Sequence, residues 1–150
     1  KIAMKILDGS RIGIGAVALG IAEGAFEEAV KYSKERKQFG KPICANQGIQ
    51  WYIAEMATSI ETARMLLFEA ATLREQGKPY SKQAAMSKLY CSKVAREVTN
   101  LALQIHGGYG YMKEYTVERL YRDAKITEIY EGTSEIQKIV IAKQVLAEFK

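Results

Sequence analysis

Long runs of apolar residues at spacings of three and four constrain the fold of this 150-residue chain more than any other feature. This spacing places apolar side chains on one face of an α-helix. The chain has only two prolines, Pro42 and Pro79, and most of its twelve glycines lie where the apolar runs break. We therefore predict helices joined by short turns, and no stretch predicts a strand.

The apolar runs predict four long helices and one short helix. The first begins at an N-cap supplied by Asp8 or Ser10 and ends near residue 36, and its inward row contains Ile14, Val17, Ala18, Ile21, Ala25, Ala29 and Val30. The second begins near Ala45, the third begins with Ser81 as its cap and ends at the Gly107–Gly108 pair, a short helix covers 117–124, and the last opens at Gly132 and Thr133. Long helices with short connections pack as antiparallel neighbours. The predicted fold is all-α, an up-and-down four-helix bundle.

The composition excludes several classes of protein. The apolar share of 48% and the charged share of 26% are those of a packed globular protein. There is no signal peptide and no apolar run long enough to span a bilayer, so we predict a soluble protein without a membrane partner. Cys44 and Cys91 are isolated and His106 is the only histidine, so we predict no metal site and no disulfide. By itself His106 is interpreted as a hydrogen-bonded turn residue.

Much of the formal net charge of +5 is concentrated in "KYSKERKQFGK", residues 31–41. A basic run at the end of a helix is usually a solvated face that suits the negative end of the helix dipole. A phosphate-binding patch for an anionic cofactor or substrate is the sharper alternative. Nucleic acid is not expected as a partner, because the run lacks interleaved aromatic residues and matches no nucleic-acid-binding motif.

Two further features concern neighbours of the chain. The first residues, "KIAMKIL", have the pattern of the middle of an amphipathic segment, which predicts that the chain is a fragment. Glycines at positions 13, 15, 20 and 24 lower helix propensity in the first helix. We predict that they let another helix, another subunit or a bound molecule approach the backbone.

Four segments carry a resemblance to a known family. They are "LDGSRIGIGAVALGIAEGA", "ERKQFGKPI", "QIHGGYGY" and "RDAKITEIYEGTSEIQ". Their order and spacing resemble the C-terminal helical domain of the acyl-CoA dehydrogenases, and the resemblance covers essentially residues 1–150. It implies one domain of an FAD-dependent enzyme, whose N-terminal helical and middle β-domains are not in this chain.

The resemblance implies an α,β-desaturation of an acyl-CoA thioester. A carboxylate removes the α-proton while the β-hydrogen leaves as hydride to FAD, and the base of the "YEGT" motif is Glu131 here. Burial beside Ile129 and Tyr130 would raise the pKa of this carboxyl, whereas the following helix N-terminus would lower it. Without the resemblance, the preferred interpretation of Glu131 is a solvent-facing acid just ahead of a helix. One branch of the family carries its base on the first helix instead. That base would be an acid at position 10, where this chain has Ser10.

The same resemblance assigns the other site residues. The cofactor-binding residues are Arg36, Phe39, Gln47, Gln104, Ile105, His106, Gly107, Gly108, Thr133, Ser134 and Glu135. The substrate-binding residues are Asp8, Gly9, Ser10, Arg11, Tyr130 and Gly132. Residue types alone offer other roles, an N-cap for Asp8 and a solvated helix-start cation for Arg11. Arg36 resembles an arginine that reaches the FAD diphosphate of a neighbouring subunit.

The resemblance also implies partners: a short or branched acyl-CoA substrate, an electron-transfer flavoprotein, and self-association as a homodimer or homotetramer. The compartment would be the cytoplasm in a bacterium or the mitochondrial matrix in a eukaryote. The isolated fragment is expected to be inactive and to bind FAD weakly or not at all. Two alternatives remain open, an acyl-CoA oxidase or related flavoenzyme, and a non-catalytic assembly or DNA-associated module of the same fold.

Overall fold

A computed structural model describes the backbone of residues 2–149 and the side chains of residues 7–149. Over this range the chain forms five α-helices, α1 (Ile2–Glu35), α2 (Gln47–Glu75), α3 (Ser81–His106), α4 (Thr116–Ile126) and α5 (Ser134–Glu148). Single 3-10 turns cover Ile43–Ala45 and Gly107–Tyr111. The prediction of an all-α bundle is confirmed. The amphipathic pattern predicted for the first six side chains lies outside the described residues.

The predicted N-cap of the first helix is wrong. Helix α1 begins at Ile2, so Asp8 and Ser10 both lie within it. Asp8 accepts hydrogen bonds from the Arg11 guanidinium at 2.6 Å and from the Ser81 hydroxyl at 3.0 Å. Ser81 is itself the first residue of α3 rather than its cap. The polar groups that were predicted to begin two helices therefore join the two helices to each other.

A short hairpin between α1 and α2 was not predicted. The strands β1 (Lys37–Gln38) and β2 (Lys41–Pro42) pair antiparallel, and Phe39 and Gly40 form the turn between them. Both turn residues have positive φ, 50° for Phe39 and 79° for Gly40. A two-residue turn with two positive φ values matches the twist of a hairpin. Two-residue strands are too short to show an alternating pattern in the sequence.

The core lies where α1 and α3 pack together, and small residues form much of it. On α1 the fully buried apolar residues are Ala18, Ala22, Ala25 and Ala29, and an added Cβ at Gly15 would lie 3.1 Å from Leu67 of α2. Small side chains let helix axes approach closely. Val17, predicted to face inward, is 49% exposed because it lies outside the buried row that contains Ala18, Ala22, Ala25 and Ala29.

The other buried residues follow the predicted spacing. Met56, Ile60, Ala63 and Leu67 of α2 are buried, as are Ala85, Val94, Val98 and Ile105 of α3. Cys91 is also buried, and burial raises the pKa of its thiol to about 12. Among the described residues, no helix has the length and apolar content needed to cross a membrane, and no cluster of three potential metal ligands occurs.

Candidate active site

The turn between α4 and α5 presents Glu131 in an unusual backbone conformation. Its φ is +54°, and the φ of Gly132 is +95°. Non-glycine residues rarely adopt a left-handed conformation, because the Cβ crowds the carbonyl group. Glu131 and Ile129 are exposed and Tyr130 is half-buried. Within this chain, the side chain of Glu131 is therefore not buried beside these two neighbours.

The carboxylate of Glu131 meets the first helix at Ser10. The Ser10 hydroxyl lies 2.9 Å from Glu131 Oε2 and 2.9 Å from the carbonyl of Leu7, and its one proton can be donated to either oxygen. The residues predicted for the substrate on α1 thus lie beside the predicted base, although they are 121 positions apart in the chain.

Arg11 does not have the solvated position that residue type alone suggested. Its side chain is 2% exposed and is held by Asp8 at 2.6 Å, and its Nε has no hydrogen-bond partner among the described residues. Gly9 follows Asp8, and an added Cβ there would lie 3.5 Å from the guanidinium of Arg74. Asp8 and Arg11 therefore form a largely buried ion pair under the Ser10–Glu131 contact.

The N-terminus of α5 comes directly after Gly132 in the chain. Thr133 is the N-cap residue and Ser134 and Glu135 open the helix. Hydrogen bonds from its own backbone N–H and from Thr133 lower the pKa of Glu135. These three residues line a cleft of about 870 Å³ between α3 and α5. Free N–H groups at a helix N-terminus attract anionic or polar ligands.

The remaining predicted cofactor residues lie at the other end of the bundle, where α1 and α3 end. The Arg36 guanidinium lies 5.4 Å from the centre of the Tyr109 ring. Both residues border a cavity of about 420 Å³, together with Gly107 and Gly108. Phe39 at the hairpin tip is 97% exposed. Gln47 and Gln104 are also exposed in this region of the chain. An arginine, an exposed aromatic ring and bare glycine backbone suit a nucleotide diphosphate.

The side chains of Ile105 and His106 take part mainly in packing. Each is only 4% exposed. His106 stacks on Tyr32 with ring centres 4.2 Å apart, and its Nδ1 lies 2.8 Å from the carbonyl of Ala102. Burial lowers the pKa of His106, against smaller opposite effects of that carbonyl and of Glu28. His106 is hydrogen-bonded, as its residue type predicted, but it lies at the end of helix α3 rather than in a turn.

The two groups of predicted site residues are far apart in one chain. Ser10 lies on α1 and Arg36 directly follows its last residue, Glu35, so the 26 positions between them correspond to about 39 Å along the helix axis. This is farther than one extended FAD molecule reaches.

Sequence reasoning missed two residues next to Glu131. The side chains of Lys88 and Gln137 are completely buried, and both donate hydrogen bonds to the carbonyl of Gly132, at 2.7 Å and 2.8 Å. The available signal was that Lys88 is three positions from the small residues Ala85 and Cys91, within the inward row of α3. A lysine inside an apolar helical row indicates a buried partner.

The fold and these two groups of residues define an all-α domain that carries an acid and a nucleotide-type surface. The family model "Acyl-CoA dehydrogenase, C-terminal domain" matches residues 1–146. The chain therefore belongs to the acyl-CoA dehydrogenase family.

Known proteins of high similarity support this assignment. Acryloyl-CoA reductase (NADH) of Anaerotignum propionicum is 67% identical over 97% of this chain and 37% of its own length. Butyryl-CoA dehydrogenase of Megasphaera elsdenii has a solved structure with a TM-score of 0.96 and 54% identity, over 97% of this chain and 38% of that one.

A third match concerns electron transfer. A chain in a solved structure on the electron transferring flavoprotein of Acidaminococcus fermentans and flavin-based electron bifurcation has a TM-score of 0.97 and 57% identity, over 97% of this chain and 38% of that one. These three matches favour neither the acyl-CoA oxidase nor the DNA-associated module of the same fold. The chain spans less than two fifths of the length of these relatives.

Proposed function

We propose that this chain is the C-terminal helical domain of an FAD-dependent acyl-CoA dehydrogenase that acts on short-chain acyl-CoA thioesters, with Glu131 as the base that removes the α-proton. The observation that carries the proposal is the left-handed turn at Glu131, which directs an exposed carboxylate toward Ser10 of α1. The short-chain preference is supported by the butyryl-CoA and acryloyl-CoA relatives.

The chain's own groups have separate tasks in this reaction. The Glu131 carboxylate accepts the α-proton, and the Ser10 hydroxyl orients it. Within the described residues, the backbone N–H of Glu131 donates to no backbone carbonyl, and we assign it to the thioester carbonyl, where negative charge develops. The bound FAD would supply the two-electron acceptor for the hydride that leaves the β-carbon. Loss of the α-proton and the β-hydride leaves a carbon–carbon double bond.

The residues present fit FAD in two places. Thr133 and Ser134 at the N-terminus of α5 suit polar groups of the cofactor beside Glu131. Arg36 and Phe39 at the opposite end suit the diphosphate and its surroundings. Since about 39 Å of helix separates the two places, one cofactor would take them from two different protomers. A homodimer, alone or as half of a homotetramer, is the assembly that this geometry supports.

An electron-transfer flavoprotein is the proposed acceptor of the electrons, and the structure from Acidaminococcus fermentans supports this choice. The compartment follows the source, the cytoplasm in a bacterium and the mitochondrial matrix in a eukaryote. The domains that complete the enzyme lie outside this chain, and we expect the 150-residue domain alone to be inactive.

Replacing Glu131 by Gln in the full-length, FAD-loaded enzyme tests the base. We expect kcat with butyryl-CoA to fall by roughly 10²–10⁴-fold, the usual contribution of a general base, with little change in substrate binding. Glu27→Gln, which removes an exposed acid from the middle of α1, is the matched control and should retain native turnover. Near-native turnover of Glu131→Gln would refute the assignment.

The reverse reaction is a second candidate function, favoured by the 67% identity to an NADH-linked acryloyl-CoA reductase. In that direction the protonated Glu131 gives its proton to the α-carbon while hydride reaches the β-carbon. Rates with butyryl-CoA and oxidised electron-transfer flavoprotein, compared with acryloyl-CoA, NADH and the same flavoprotein, separate the two directions. Glu131→Gln should impair both.

A further inference from the structure

Lys88 is a completely buried lysine whose ammonium group contacts the turn that carries Glu131. It lies on α3, and its Nζ donates a hydrogen bond of 2.7 Å to the carbonyl of Gly132. Lysine is almost never fully buried unless it is paired. The hydrogen bond to this carbonyl therefore offsets part of a large desolvation cost.

Gln137 of α5, which follows the turn in the chain, donates a hydrogen bond to the same carbonyl. Its side chain is also completely buried, and Nε2 lies 2.8 Å from the Gly132 oxygen and 3.4 Å from the Glu131 oxygen. Its Oε1 has no partner among the described residues. One amide from α5 and one ammonium group from α3 thus converge on one backbone oxygen.

The turn needs such support because its conformation is unfavourable. Left-handed backbone at a non-glycine residue is energetically unfavourable and persists only where the surroundings hold it. Rotating the peptide group after Gly132 would break both the Lys88 and the Gln137 hydrogen bonds. Gln137 Nε2 also lies 3.4 Å from the Glu131 carbonyl, so its amide contacts both peptide groups that flank Gly132.

The charges around Lys88 are consistent with a structural role for its ammonium group. Burial lowers its pKa, the like charge of Arg11 acts in the same direction, and Glu128 and Glu135 oppose the change. Glu128 is itself held by Arg96 at 3.0 Å and by Lys125 at 2.6 Å. The nearest hydrogen-bonded partner of Lys88 is therefore the Gly132 carbonyl rather than a carboxylate.

We infer that Lys88 is a positioning residue, which with Gln137 holds the Gly132 carbonyl and so sets the direction of the Glu131 carboxylate toward the substrate. The inference rests on the proposed role of Glu131 as the base. Lys88 touches neither substrate nor cofactor in this scheme, and it acts through the backbone of the turn.

The test compares Lys88→Met with the native protein in the full-length, FAD-loaded enzyme, using butyryl-CoA. Methionine fills similar space without a hydrogen-bond donor. Misplacing a catalytic group by about 1 Å can cost roughly 10²-fold in rate, so we expect kcat to fall by roughly 10–100-fold. KM and bound FAD should remain near native values. The isotope effect on kcat with α-dideuterated butyryl-CoA should rise, because proton removal becomes the slow step.

Lys82→Met is the matched control. Lys82 lies on the same helix, and its ammonium group pairs with Glu148 at 2.7 Å on the surface. The same loss of charge there should leave kcat, KM and the isotope effect unchanged. Equal losses in Lys82→Met and Lys88→Met would overturn the inference, since the effect would then follow from helix charge.

Other outcomes also decide the question. Native kcat in Lys88→Met, or loss of FAD with parallel changes in kcat and KM, contradicts a positioning role. If Lys88→Met does not fold, Gln137→Met removes the other donor, and native kcat in that variant is equally contradictory. Glu131→Gln separates the two proposals: if it is inactive while Lys88→Met is native, only the positioning inference fails, and if it is active, the base assignment fails.

Discussion

The buried ring of His106 makes stability dependent on pH at the level of one residue. Burial lowers the pKa of this imidazole in the folded protein below the ordinary value of 6.5, so the unfolded chain binds a proton first as the pH falls. The free energy of unfolding should therefore be highest above about pH 6.5 and decrease from there toward the folded pKa. Each unit by which the pKa is lowered corresponds to about 1.4 kcal/mol.

His106→Phe provides the measurement. Phenylalanine keeps a ring against Tyr32 but does not titrate. Thermal midpoints of the full-length protein between pH 7.5 and 5.5 should decrease more for the native protein than for the variant. The ring faces Tyr32, Tyr115 and the Ala102 carbonyl, and all three groups remain in the variant. An equal decrease in both proteins would show that other groups, such as the nearby Glu28, control the effect.

At the scale of elements, the turn before α5 depends on a missing side chain at Gly132. Its φ is +95°, and an added Cβ would lie 2.8 Å from Nε2 of Gln137. Gly132→Ala should therefore both strain the backbone and displace one donor from the turn. We expect a loss of stability of about 1–3 kcal/mol together with a large loss of kcat.

Gly20→Ala is the control for this substitution. Gly20 lies within α1, and nothing lies within 4 Å of an added Cβ. Alanine is favoured over glycine in a helix by about 0.5–1 kcal/mol, so this variant should be slightly more stable than the native protein. Denaturant unfolding of both full-length variants gives the comparison, and a Gly132→Ala protein with native stability would contradict the strain described here.

The same elements show how far the sequence predicts this structure. Helical periodicity predicts α2 and α3 well, because a wide apolar face must be buried. It fails at Asp8 and Ser81, where residues typical of helix starts hydrogen bond with each other between two helices. It also fails at Lys88, because a lysine in a helix is usually solvated and its partner, the Gly132 carbonyl, is 44 positions away. The local pattern indicates that Lys88 has a buried partner, but it does not identify that partner.

At the scale of the whole molecule, the separation of Glu131 from Arg36 predicts that each active site contains residues of two protomers. Ser10, which contacts Glu131, is about 39 Å from Arg36 along α1. In a two-fold symmetric dimer, the acid of one protomer and the arginine of its partner would complete one site. Substitutions in these two residues should then fall in the same site when they are carried by different protomers, and in different sites when one protomer carries both.

Mixing two inactive variants tests this arrangement. Full-length Arg36→Met and Glu131→Gln proteins should each lose most activity, the first through weakened FAD binding and the second through loss of the base. A mixed dimer contains one site with native Glu131 and native Arg36, and a second site that lacks both. Random reassortment should therefore restore about one quarter of native turnover, since half of the dimers are mixed and half of their sites are intact.

The Arg36→Met/Glu131→Gln double variant mixed with native protein is the control, because no site in its mixed dimers has both native residues. If the two single variants stay inactive after verified exchange of subunits, Glu131 and Arg36 serve the same protomer's site and the two-protomer arrangement is wrong.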